Sequence, residues 1–303
     1  MRVFVTGATG FVGLAVADAY ARAGHQVLGL ARSSDKARLL AAREIEPVSG
    51  TLQETATWRA RAAQCQVLVH CAMDYAAETY ALDRAAIEAL ASEGGRAGHK
   101  RTLIYTSGVW VYGDTRGERV DEGSALNPAK LVAQRVQSEE LVLSRAGAHL
   151  ASIVIRAGCV YGGRGSLTAA WFESAQRRGA ARIVGDGSQR WAMVHVEDLA
   201  QLYLLAGESG LDCAVLNATE NVRPSVRECA EAASRAAGAG GKIETLPQAE
   251  AAERLGPLAE ALGFSQHVDS SKAARLLGWR PRHAGFVDEI DRLYLAWRAH
   301  RDT

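Results

Sequence analysis

The stretch Met1-Arg2-Val3-Phe4-Val5-Thr6-Gly7-Ala8-Thr9-Gly10-Phe11-Val12-Gly13 decides the fold. Its first half is a short β-prone apolar run without alternation, the form of a strand buried on both faces of a parallel sheet. Its second half spaces three glycines as G-x-x-G-x-x-G and passes into a helical pattern. Val12, Val16, Ala19 or Tyr20, and Ala23 form one stripe, and Gly24 stands as the stop. Strand, glycine turn and helix in that order make a dinucleotide cradle. Gly7 permits the tight turn, Gly10 removes the Cβ that would block a diphosphate, and Gly13 lets helix and strand pack closely; the free N–H groups at the helix start meet the anion. Thr9, Phe11 and Val12 line the same turn and are assigned to the cofactor with the glycines.

Outward from the turn the same alternation continues. Apolar runs over 3–6, 27–31, 67–71, 102–106, 152–155 and 215–217 are each followed by helical periodicity. The pattern predicts an α/β fold: a Rossmann doubly wound parallel sheet with a smaller C-terminal substrate-binding region. The dinucleotide-binding domain is expected over 1–160, with the strand near 213–218 returning to it, and 161–303 forms the smaller region. That region opens with a glycine-rich turn and a helix over 167–178. The alanine-rich stretch 228–262, broken by Gly238-Ala239-Gly240-Gly241, Pro247 and Pro257, is expected as helices separated by a flexible loop.

Length and composition agree. At 303 residues, 48% hydrophobic and 23% charged, the chain is an ordinary globular one of about two domains. A net charge of +1 provides no bulk field for nucleic acid. Five scattered cysteines without a C-x-x-C pair, no basic-plus-apolar leader and no apolar run of about 18 residues point to a cytoplasmic protein off the membrane. Walker, nucleophile-elbow and zinc spacings are absent, so no metal is expected.

The end of the second strand sets the cofactor preference. A carboxylate there would hold a ribose 2′-hydroxyl, but the sequence reads Leu30-Ala31-Arg32-Ser33-Ser34. The Arg32 guanidinium and Ser33 hydroxyl suit a 2′-phosphate, so NADP(H) is expected to bind in preference to NAD(H); a solvated loop arginine is the other reading of Arg32.

Further blocks follow in order: Val69-His70-Cys71-Ala72, Tyr105-Thr106-Ser107-Gly108-Val109-Trp110-Val111-Tyr112-Gly113, Ile155-Arg156-Ala157-Gly158-Cys159-Val160-Tyr161-Gly162, Val194-His195-Val196-Glu197-Asp198-Leu199-Ala200 and a closing segment from Asp269 to Pro281. With the opening turn, they make nearly the whole chain resemble the extended short-chain dehydrogenase/reductase family, also called the NAD-dependent epimerase/dehydratase family. The resemblance implies an NAD(P)-dependent enzyme closing over a small carbonyl or hydroxyl substrate. It places Thr51 and Leu52 beside the adenine, Cys71, Ala72 and Met73 under the cofactor, and Ala157, Cys159 and Val160 near the nicotinamide. Trp110 and Tyr161 fall in the substrate region. No nucleic-acid or membrane partner is implied, and a homodimer is left open.

The chain departs from that pattern where the family carries Y-x-x-x-K. Aligned on Pro128 and Glu140, the two positions hold Val132 and Val136; slipped onto Glu139, they hold Leu131 and Arg135. Neither register supplies a tyrosine. The usual serine position, counted back from Gly113, is Gly108, with Ser107 one residue earlier. Ser107 is therefore the hydroxyl candidate. Tyr75 and Tyr80, in a loop that the family places beside the substrate, are candidate proton donors, and Arg135 can hold the nicotinamide ribose although its guanidinium stays protonated. His70 and His195 read as core histidines. Three functions stay open: an atypical reductase or epimerase, a dinucleotide-binding sensor or partner protein without catalysis, and, between them, a redox-neutral isomerisation or elimination with the cofactor in a structural role.

Overall fold

A computed structural model describes residues 1–73, 79–92 and 100–301. Seven strands, β1 (Arg2–Thr6), β2 (Gln26–Ala31), β3 (Glu46–Ser49), β4 (Val67–His70), β5 (Arg101–Gly108), β6 (Leu150–Ala157) and β7 (Ala214–Ala218), form one sheet in the order β7-β6-β5-β4-β1-β2-β3. The pairs β1/β2, β1/β4, β2/β3 and β4/β5 are parallel. Helices α1 (Phe11–Arg22), α2 (Ser34–Ala41), α3 (Thr55–Ala62), α4 (Thr79–Ala91), α5 (Arg135–Ser144) and α6 (Val196–Glu208) connect or flank these strands. Strand order reverses between β1 and β4, so the turns leaving those two strands diverge and open a crevice at their carboxyl ends.

The expected strands are all present. The edge strand β3 shows no apolar run because of its four residues, Glu46-Pro47-Val48-Ser49, only Val48 is buried. In α1 the buried face is Gly13, Val16, Ala17 and Tyr20. Ala23, expected on that stripe, is exposed at the C-cap, where the helix has already ended. On one side of the sheet, Phe4, Leu28, Leu68 and Leu103 meet Trp58, Ile87, Leu90 and Val142 from α3, α4 and α5. Trp58 stacks on Phe4 at 5.6 Å between ring centroids and donates its indole N–H to the Thr51 carbonyl at 2.8 Å. Burying each such large apolar side chain contributes about 1.5–3 kcal/mol.

Packing divides the chain into two compact units, the first Met1–Ser107, Gln134–Arg156 and Ala200–Leu216, the second Gly108–Ala133, Ala157–Leu199 and Asn217–Thr303. The sequence expected a first unit over 1–160 to which the strand near 213–218 returns. By packing, the chain leaves the first unit at the carboxyl ends of β5, β6 and β7 in turn, so the segments of the units interleave.

The second unit contains three short parallel strand pairs: Cys159–Tyr161 with Met193–His195, Ala181–Val184 with Ile243–Leu246, and Arg119–Val120 with His267–Val268. Its core is aromatic, with Tyr161, Trp171, Phe172, Trp191, Phe286 and Trp297 in one cluster. The helix expected over 167–178 is Ala169–Arg178. The alanine-rich stretch holds helices Val226–Ala236, Gln248–Leu255 and Pro257–Leu262, the first capped by a Ser225/Glu228 box. The flexible loop expected there is corrected: it carries the strand Ile243–Leu246, whose pairing with Ala181–Val184 is invisible to composition. Among the described residues no helix is long and apolar enough to cross a membrane.

Candidate cofactor and active site

The turn after β1 shows which glycines the chain needs for itself. Gly7 has φ +69°, and a Cβ there would lie 2.7 Å from the Ala72 amide nitrogen. A Cβ on Gly13 would run into the Gly7 carbonyl oxygen, so this glycine sets how closely α1 approaches the turn. Gly10 differs. It is the N-cap of α1, with φ −79°, and a Cβ would meet the chain only at the Gly7 oxygen, 3.1 Å away. The cap offers no side chain and no acidic residue sits in the first turn of α1, which leaves this helix start ready for an anion. Thr9, Phe11 and Val12 are partly exposed around it.

At the end of β2, Arg32 is exposed. Ser33 caps α2, its hydroxyl accepting from the Lys36 amide at 3.4 Å, so its first duty is to the helix. Asp35, the nearest carboxylate, is paired with Arg38. Thr51 donates to Glu54 at 3.4 Å, and Leu52 packs at the edge of the main cluster. Cys71, Ala72 and Met73 lie partly exposed after β4.

At the end of β5 the polar groups interlock. Ser107, 2% exposed, donates its hydroxyl to Glu139 on α5. Glu139 is held in turn by Arg156, whose Nε lies 3.1 Å from both carboxylate oxygens and whose terminal nitrogen reaches Oε2 at 2.6 Å. Both charges are buried, and the forked geometry compensates each for the water it has lost. The neighbouring Glu140 is exposed. Thr106 gives its hydroxyl to Cys71 Sγ at 3.2 Å and accepts from Tyr203 at 2.7 Å, while its carbonyl takes a guanidinium N–H of Arg135 at 3.2 Å. Burial pushes the Cys71 thiol up to about 12, which keeps it protonated. The Nε of Arg135 is buried and has no hydrogen-bond partner among the described residues. A buried donor left in that state costs about 1–3 kcal/mol until a ligand takes it. With the uncapped start of α1, this orphaned donor makes the first unit a fit for a dinucleotide.

Sequence reading used Glu139 only as an alignment anchor and passed over Tyr203 altogether. Partners drawn from α5, β6 and α6 leave no local motif to find.

Of the proposed tyrosines, Tyr80 stands in the first turn of α4, not in a loop, and is partly exposed. Tyr75 lies outside the described residues. In the second unit, Leu131 and Val132 form the short turn Lys130–Val132. Val132 is buried with Ala129 and Ala261, and Leu131, Trp110 and Phe264 pack around them. Tyr161 is fully buried, donating its hydroxyl to Glu220 at 2.7 Å. Glu220 is itself buried, and burial pushes its carboxyl up to about 7. Ala157 is buried and Cys159 and Val160 are partly exposed. Gly108 has room for a side chain, the Ala157 carbonyl being the nearest group at 3.6 Å. His70 and His195 are buried, as expected of core histidines.

The family model for the NAD dependent epimerase/dehydratase family matches residues 3–217. The chain is 29% identical over 300 residues to protein C2A9.02 of Schizosaccharomyces pombe, covering 96% of this chain and 98% of that one. It is 27% identical over 309 residues to a 4-hydroxy-2-methyl-3-oxo-4-farnesyl-3,4-dihydroquinoline-1-oxide ketoreductase of Stigmatella aurantiaca, covering 93% and 92% of the two chains. Among solved structures, UDP-glucuronic acid 4-epimerase from Bacillus cereus, in complex with UDP-glucuronic acid and NAD, matches with a TM-score of 0.80 at 17% identity, covering 99% and 100%. At that identity the likeness is one of fold.

Proposed function

The chain belongs to the NAD dependent epimerase/dehydratase family, and from that premise we propose that it is an NAD(P)-dependent oxidoreductase or epimerase for a small carbonyl or hydroxyl substrate, working without the usual tyrosine and lysine. The observation that carries the reading is the start of α1 at Gly10, which no side chain caps and no acidic residue neutralises. The start of α1 holds the diphosphate, Arg32 the 2′-phosphate of NADP(H), and Arg135 the nicotinamide ribose through its orphaned Nε. When bound, the dinucleotide supplies the hydride acceptor or donor.

The register anchored on the buried Glu139 puts Leu131 and Arg135 where the family has tyrosine and lysine. Arg135 orients but does not relay a proton. Ser107 has committed its own proton to Glu139, which leaves its oxygen as an acceptor for a substrate hydroxyl. The proton donor is then sought at Tyr75 or Tyr80. The ketoreductase relative supports carbonyl reduction as the first reaction to try.

One observation favours a second reading, a dinucleotide-binding partner protein without turnover: Leu131 is built into an apolar cluster and leaves no polar group at the tyrosine position. Titration with NADPH and NADH, followed by a carbonyl-substrate screen on nicotinamide absorbance, separates the two. Turnover that falls in Tyr75→Phe, Tyr80→Phe or Ser107→Ala supports the enzyme. Tight NADPH binding with no turnover supports the partner protein, and no binding of either nucleotide ends both.

A further inference from the structure

Beneath the cofactor turn lies a buried polar cluster that the proposed ligand contacts do not use. Thr6, His70 and Tyr105 occupy one register row across β1, β4 and β5. From α4, Asp83 accepts three bonds: from His70 Nε2 at 3.0 Å, from the Tyr105 hydroxyl at 2.9 Å and from the Ser138 hydroxyl of α5 at 2.6 Å. The second ring nitrogen of His70 meets the Thr6 hydroxyl at 2.6 Å. All five residues are buried, none more than 7% exposed. Burial pushes the Asp83 carboxyl up, but the bonds from His70, Ser138 and Tyr105 outweigh it and hold the group below its ordinary value. One carboxylate thus ties two helices to three adjacent strands.

Each tied residue adjoins the floor of the proposed site. Thr6 precedes Gly7, His70 precedes Cys71, and Tyr105 precedes Thr106, whose carbonyl takes Arg135. Ser138 is next to Glu139 and one turn beyond Arg135 on α5. We propose that Asp83 is a positioning residue for the nicotinamide half of the dinucleotide site, setting α5, and with it Arg135 and Glu139, against the ends of β1, β4 and β5. The inference rests on the dinucleotide reading above. A carboxylate accepts from all three groups at once; an amide of the same shape accepts at one oxygen only, so the hydroxyls or the His70 ring would have to turn their protons elsewhere and the tie loosens.

The test is the isosteric variant Asp83→Asn, titrated calorimetrically with NADPH and with adenosine 2′,5′-bisphosphate, which carries the 2′-phosphate half and no nicotinamide. NADPH affinity is expected to fall about tenfold, near the value of one charge-assisted hydrogen bond, while the bisphosphate, held at the end of β2, binds as in the parent. Ser138→Ala, which removes one of the three bonds, should give a smaller loss of the same selectivity. NADPH affinity at the parental value in Asp83→Asn, or equal losses for both ligands, overturns the proposal. If Asp83→Asn fails to fold, Ser138→Ala decides alone, and unchanged NADPH affinity there overturns it. A parent that binds neither ligand removes the dinucleotide reading and this inference with it; a parent that binds both while the variants lose neither removes the inference only.

Discussion

At the turn between β1 and α1, a Cβ on Gly10 would meet the chain at one point, the Gly7 carbonyl oxygen at 3.1 Å. At the turn Lys130–Val132, Leu131 and Val132 are packed with Ala129, Trp110, Ala261 and Phe264. The first region leaves room for something that is not protein; the second fills its room with the chain's own apolar side chains. If the proposed function holds, the contrast separates the part of the fold that binds from the part that would move a proton. One turn is shaped by glycine backbone, the other by packed apolar side chains.

The largest effect is expected within the first region's support. Glu139→Ala strands the Arg156 guanidinium in a buried setting and should cost about 3–5 kcal/mol, read from the denaturant midpoint. A loss under about 1 kcal/mol would mean that the end of β5 is hydrated, and the contrast between an open cradle and a closed support would weaken.

A second closed place, the Tyr161–Glu220 pair, is tested by pH. The Glu220 carboxyl, accepting from Tyr161, is raised by burial to about 7 from an ordinary 4.5. Between those values the folded state keeps a proton that the unfolded state releases, so this group's stabilisation is full below pH 4.5 and is lost as pH rises through about 7. The change is up to about 3 kcal/mol. Glu220→Gln should remove that part of the slope, and an identical pH profile for parent and variant would show Glu220 to be solvated and Tyr161 open.

Gly10→Val should weaken NADPH binding at least about a hundredfold, or roughly 2.7 kcal/mol, with the circular dichroism of the parent. Gly13→Ala should instead lower stability by about 1–3 kcal/mol through overpacking. If the two variants behave alike, the distinction between a glycine kept for a ligand and one kept for the fold is lost.

Arg32→Ala should remove the proposed preference for NADP(H). NADP(H) affinity is expected to fall about tenfold with NAD(H) unaffected, as for one charge-assisted contact. Equal affinities in the parent would leave Arg32 a solvated residue. The smallest effect is expected from Gly108→Ser, where a Cβ meets only the Ala157 carbonyl at 3.6 Å. Stability should stay within about 0.5 kcal/mol. A larger loss by thermal melt would mean that the end of β5 is packed as tightly as the Lys130–Val132 turn.

The sheet and the glycine turn were legible because their signals are local: an apolar run without alternation followed by glycines at fixed spacing can be read within a dozen residues. The absence of a tyrosine between Asn127 and Glu140 is legible in the same way. Other features depend on partners far apart in the chain. Glu139 meets Ser107 and Arg156 from α5, Asp83 gathers His70, Tyr105 and Ser138, and Tyr161 finds Glu220. The strand Ile243–Leu246 needs Ala181–Val184 to be a strand at all. Backbone patterns were determined by the sequence itself because short-range sterics and hydrophobic periodicity act residue by residue. Which buried polar groups pair, and which glycines the packing itself requires, only the tertiary structure decided, because a buried group must find its hydrogen-bond partner wherever the fold has brought one.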